Sequence, residues 1–151
     1  MADAKQMYRR MCSALEREGL KYLTMEETLS ALLDFELADA MPIQMILYVN
    51  PQLQTLHVMS QLPFQMRESK RLDGALAATV VSRDLDFGCF TVNINDGSVL
   101  FTMAECFRDG LLEEALICRM IAHTYSVVKK HGKTFLDLDQ GELGILELIQ
   151  K

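Results

Sequence analysis

The stretch NINDGSVLF, Asn93 to Phe101, crowds two asparagines, an aspartate and a glycine as ion-binding turns do. A helix-loop-helix calcium loop sets oxygen ligands at positions one, three and five, glycine at six and a bidentate glutamate at twelve. With Gly97 at six, the early positions fall on Val92, Ile94 and Asp96, and the twelfth falls on Met103. Two aliphatic side chains and a thioether cannot take the place of oxygen ligands around a hard cation. The stretch therefore reads as a turn, and no metal ligand is assigned to it.

Other chemistry is equally sparse. The chain has no phosphate loop, no GxGxxG, no GxSxG and no HExxH. DLDFG, Asp84 to Gly88, looks like a kinase DFG without any other kinase element. His57 falls in an expected strand, where a half-buried cross-strand role is simpler than a catalytic base. His123 falls mid-helix, and His131 at a helix end, where it complements the dipole. Glu113 and Glu114 read as an acidic first turn of the same helix. Cys12, Cys89, Cys106 and Cys118 form no CxxC pair, and no histidine is spaced to complete a zinc site, so they read as small buried thiols. No catalytic residue, cofactor-binding residue, metal ligand or cofactor is assigned, and the expectation is a protein that is not an enzyme.

Composition narrows the partners. The net charge of −6 disfavours nucleic acid, which needs a basic face. No apolar run is long enough to span a bilayer, so no membrane is expected. MADAKQMYRR carries charges where a signal peptide needs an apolar stretch. With unpaired cysteines, this points to a reducing cytoplasm and four free thiols. A length of 151 residues, half of them hydrophobic, suits one α+β domain over 1–151.

The elements follow from spacing. Asp3 to Glu18 is helical, with Met7, Met11, Ala14 and Leu15 on one face and Gly19 ending it. Residues 25–37 fit helix or strand, since Leu29, Leu32 and Leu33 suit a helix turn while Leu33, Phe35 and Leu37 alternate; the reading adopted is a strand over Leu29–Leu37. Strands follow at Ile43–Val49 and Gln54–Leu62, joined by a turn at Pro51 and closed by Pro63. A helix over Arg67–Arg83 carries the stripe Leu72, Ala75, Leu76, Thr79 and Val80. Asp96-Gly97 suits a two-residue type I′ turn pairing Ile94 with Val99, Val92 with Phe101 and Phe90 with Met103, all on one apolar face. Gly110 to His131 reads as the longest helix, capped by Asp109 and stopped by Gly132. A short C-terminal helix is expected after Asp139 and Glu142, which approximate a capping box. Short turns between strands imply an antiparallel sheet of about five strands with helices packed on it, in the order α-βββ-α-ββ-α(-α).

Two features suggest binding surfaces. Ten methionines are spread over nearly every element, suited to core filling and to adaptable surfaces. On the long helix, Leu112, Leu116 and Met120 form one stripe, with Ile117, Ile121, Thr124 and Val128 beside it. That arc is wider than one sheet face needs. Its second cover is either the C-terminal segment or another subunit, and a homodimer through Leu112, Leu116 and Met120 is the expectation adopted.

LDFGCFTVNINDGSVLFT, Leu85 to Thr102, resembles the signature region of the YbjN family, often labelled bacterial sensory transduction regulators. Leu85, Gly88, Phe90, Asp96 and Gly97 carry the likeness. The resemblance implies a fold shared with the acidic chaperones of type III secretion, which are commonly homodimers. It implies an α+β domain that binds polypeptide or regulates, without known catalytic residues. The leading expectation is thus a non-enzymatic cytoplasmic protein-interaction or regulatory domain. The alternatives are a dedicated secretion chaperone holding an unfolded client segment, and a small ligand-binding protein or enzyme whose site is assembled from dispersed residues.

Overall fold

The computed structural model describes residues 3–36 and 41–151. Helix α1 (Ala4–Arg17) starts at Asp3, whose carboxylate accepts the Lys5 N–H at 2.9 Å, and buries Met7, Met11, Ala14 and Leu15. Where one strand was expected, the chain forms a hairpin: β1 (Tyr22–Met25), a short 3-10 turn and β2 (Ser30–Phe35). Leu29 turns the corner at φ 51°. The reading as strand holds for β2, while Leu37 lies outside the described residues. β1 shows too few residues per face, two on each side, for alternation to stand out.

The remaining elements are β3 (Ile43–Asn50), β4 (Thr55–Gln65), α2 (Arg71–Arg83), β5 (Cys89–Val92), β6 (Ser98–Cys106), α3 (Glu114–Gln140) and α4 (Ile145–Gln150). The fold is α+β, as expected, and the antiparallel sheet has six strands in the order β1-β2-β3-β4-β6-β5. Pro63 does not close β4. The register passes from Gln61↔Leu100 to Gln65↔Ser98, so Leu62, Pro63 and Phe64 stand opposite Val99 alone. A bulge leaves residues without ladder partners, so a proline without an N–H costs nothing there.

The β5–β6 turn is larger than expected. Phe90 pairs with Phe101 and Val92 with Val99, two residues away from the expected register. The loop is Ile94–Gly97, closed by Asn93 N–H to Ser98 O at 2.9 Å and Gly97 N–H to Asn93 O at 2.7 Å. Of its residues only Gly97 has positive φ, at 80°, whereas a type I′ turn needs it at Asp96 as well. Side chains do the folding instead. Asn93 Oδ1 accepts the Asn95 N–H at 2.9 Å, and Asp96 Oδ1 accepts the Ser98 N–H at 2.8 Å. A shift of two preserves parity, so the apolar and mixed faces lie as expected. Ile94 alone leaves its assigned face, and is 53% exposed in the loop.

α2 buries the other side of itself. Gly74, Ala77, Ala78 and Val81 face inward, while Leu72 and Leu76 are exposed. The small residues permit close approach: a Cβ at Gly74 would meet the Met66 side chain and lie 3.5 Å from Val92. Close packing of backbone decided the face, against the larger side chains of the outer stripe.

α3 neither begins at Gly110 nor stops at Gly132. Its N-cap is Glu113 rather than Asp109, and Glu114 in its first turn bonds Ser13 and Arg17 of α1. Gly132 is buried inside the helix, with Leu62 3.4 Å from where its Cβ would be. An internal glycine costs about 1 kcal/mol against alanine. Continuing the helix buries Phe135 and Leu138, worth roughly 1.5–3 kcal/mol each, so burial wins. The helix ends at Gly141, φ 81°. His131 therefore sits inside the helix, its ring 6.1 Å from that of Phe90, and not at a terminus.

The wide arc of α3 is covered by its own chain: it packs on the sheet between α1 and α2. Met120 is 1% exposed and Leu112, which precedes the helix, is buried, so these two do not form a free stripe; Leu116 is half-buried. The C-terminal segment covers α2 instead, through α4. Asp139 does not cap α4. It is a buried residue of α3 whose Oδ1 accepts the Arg67 N–H at 2.8 Å and lies 3.4 Å from Arg67 Nε. Glu147 reaches back to the Gly144 N–H at 3.3 Å in that role.

Three substitutions test this framework. A Cβ at Gly97 would run into the Met66 carbonyl oxygen and crowd Arg71 Nε. Gly97→Ala should therefore cost at least about 2 kcal/mol in urea denaturation, combining left-handed backbone and clash; an unchanged midpoint would refute the close approach. Asp139→Ala strands the Arg67 N–H and should cost about 1–3 kcal/mol, whereas Glu142→Ala, the other half of the discarded capping box, should leave the melting curve where it is.

Candidate interaction surface

Strand alternation divides the sheet into two faces. On β3, Ile43, Met45, Leu47 and Val49 are buried under the helices, and Gln44, Ile46, Tyr48 and Asn50 point the other way. The registers extend the second set to Leu23 and Met25 on β1, Leu32 and Asp34 on β2, His57, Met59 and Gln61 on β4, and Leu100 and Thr102 on β6. No described helix packs against that second face. It carries Leu23 at 67% exposure and Met25 at 44%, with Leu32, Ile46, Met59 and Leu100 half-buried. Among the described strand residues, Asp34 is the one formally charged side chain on it.

The β4 bulge gives the open face relief. Pro63 and Phe64 wall a groove of about 600 Å³ whose floor includes Ile46, Met59 and Leu100. A second hollow of about 410 Å³ lies towards the β1 edge, lined by Lys21, Leu23, Leu32 and Glu36. Asp34 lines both. Its carboxylate accepts one hydrogen bond, from Gln44 Nε2 at 3.1 Å, and forms no ion pair with any described residue. Further along the face, His57 stacks flat on Tyr48 with ring centroids 4.4 Å apart, and its Nε2 lies 2.8 Å from Thr55 Oγ1. Burial holds the His57 imidazole below its ordinary pKa, which favours the neutral ring. The cross-strand role expected of His57 is what the structure shows.

The other residues singled out in the sequence are scattered. His123 Nε2 is 3.0 Å from Phe87 O, and its ring lies edge-on to that of Phe87. The two border a smaller hollow of about 370 Å³ with Met103, Glu105, Leu116 and Arg119. Glu113 and Glu114 stand at the start of α3 and do not line that hollow. All four thiols are free, but they are not uniformly buried: Cys89 and Cys106 are exposed. The described residues contain no group of three or more histidine, cysteine, aspartate or glutamate side chains able to hold a metal. No described helix is long and apolar enough to cross a membrane. Periodicity alone could have found the open face, because Gln44–Ile46–Tyr48 alternates as regularly as the buried set. What it lacked was any sign that no helix would cover it.

No family model matches the chain, and no curated protein matches it in sequence. Among solved structures it is similar to the crystal structure of YbjN from E. coli, named there as a candidate transcription regulator. The two superpose with a TM-score of 0.64 over 84% of this chain and 92% of that one, at 8% sequence identity. At that identity the likeness is one of fold: the α+β framework is shared with YbjN.

Proposed function

We propose that this chain is a non-enzymatic, YbjN-like protein-interaction domain of the cytoplasm that regulates by binding another polypeptide. The observation that carries this reading is the sheet face on which no described helix packs, apolar along its middle and bearing one formal charge among the described strand residues. Exposed contiguous apolar surface of this kind marks interaction sites in soluble proteins. The free thiols suit the reducing compartment. The test is capture from native cell extract with the wild-type chain and with an Ile46→Lys/Leu100→Lys double variant that keeps the wild-type circular dichroism. Polypeptides retained by the first and lost by the second are expected. Identical retention would remove the open face from the function.

The same reading includes self-association. The stripe Leu112, Leu116 and Met120 cannot serve as the interface, being mostly covered. The outer face of α2 can, since Leu72 is 68% exposed and Leu76 51%, and α4 beside it adds Leu146 and Ile149. Two-fold pairing of one such patch is the commonest route to an oligomer. Sedimentation equilibrium should give twice the 17.1 kDa chain mass, and Leu76→Asp should return it to one chain. A wild-type chain that stays monomeric at high micromolar concentration would end this part of the reading.

A further inference from the structure

We infer that the groove across the open sheet face takes an extended apolar peptide segment whose one charged residue is basic and seats against Asp34. This rests on the interaction reading above and names the chemistry of the partner. Charge complementarity decides against a second copy as occupant. Another copy of this face would bring a second carboxylate and no strand cation, because Asp34 is the lone formal charge that the described strands place there. Glu36 flanks the outer hollow and adds to the demand for a cation, partly offset by Lys21.

The polar lining says that the segment is extended. Gln61 and Gln65 stand on either side of the β4 bulge, and their side-chain amides have no hydrogen-bond partner among the described residues. An amide offers both a donor and an acceptor, which matches the free N–H and C=O of an extended backbone and not the satisfied groups of a helix. The apolar floor of Ile46, Met59 and Leu100 suits alternate side chains of such a segment. The groove crosses β2, β3, β4 and β6, about 14 Å at ordinary strand spacing. That is the reach of about four extended residues. The groove volume also falls in the usual range for bound ligands, ~300–1,000 Å³.

Three labelled nonapeptides, acetylated and amidated, alternate leucine with serine and differ only in a central lysine, serine or glutamate. Fluorescence anisotropy with the full chain should rank them lysine, serine, glutamate, with the spread shrinking at high salt. Asp34→Asn keeps the acceptor for Gln44, so the fold is retained. It should weaken the lysine peptide by about fivefold, to the level of the serine peptide, and leave the serine peptide unmoved. Gln61→Glu, which adds a second carboxylate beside the floor and removes the amide donor, should widen the preference for the lysine peptide over the serine peptide. Equal binding of all three, or a lysine preference that survives Asp34→Asn, overturns the assignment of the charge. No binding of any peptide overturns the groove as a peptide site. The general reading fails separately, if extract polypeptides are held equally by the Ile46→Lys/Leu100→Lys variant.

Discussion

A β-strand must send successive side chains to opposite faces, so a six-stranded sheet makes two surfaces whether or not the chain has helices for both. Here the described helices α1, α2 and α3 gather on one side. That side becomes the core: Met45, Leu47, Val58 and Phe101 from the strands meet Met7, Met11, Ile117 and Phe135 from the helices. The opposite surface keeps the other half of the same strands, and no described helix covers it. Methionine suits the arrangement, because an unbranched chain fills irregular gaps between helix and sheet. Five methionines (Met7, Met11, Met45, Met66 and Met120) are almost wholly buried, while Met25 and Met59 belong to the open face.

The helical layer is held at both ends by polar contacts. Glu114 ties the start of α3 to Ser13 and Arg17 of α1, and Asp139 ties its end to the Arg67 backbone before α2. The second contact matters more. Exposed pairs such as Arg17–Glu114 contribute little, whereas the part-buried Arg67 N–H, bonded to the buried Asp139 carboxylate, is costlier to strand. Arg71 then links α2 to the β5–β6 turn through the carbonyls of Met66 and Asn95, at 3.1 and 2.8 Å. Ser82 accepts the Phe90 N–H at 2.8 Å, which covers part of the β5 edge. The far edge, β1, is limited to four residues, another way of discouraging strand addition.

The bulge in β4 connects fold to surface. Without it the strand would stay in plane, and Pro63 would break a ladder. With it, Pro63 and Phe64 become a wall, and a flat sheet face acquires a groove. The carboxylate that meets the groove comes from β2, three strands away from β6, which supplies Leu100. Such a site has no motif: its members lie at 34, 46, 59, 64 and 100, and only strand pairing brings them together.

What the sequence by itself determined is local. Asp3 and the spacing of Met7, Met11 and Leu15 specify α1, and the alternation of Ile43 to Val49 specifies β3. The faces of the β5–β6 hairpin were legible too, since parity survives a shift of two. The tertiary structure decided everything that depends on a distant neighbour. The turn at Gly97 opened to four residues because Arg71 and Met66 hold it from outside. α3 ran through Gly132 because Phe135 and Leu138 had a core to enter. α2 turned its small residues inward because only they let the helix approach Met66 and Val92. The stripe on α3 found its cover in α1 and α2, and the open sheet face found none among the described elements. Periodicity states that a face is apolar; which body covers it is set by packing between segments far apart in the chain.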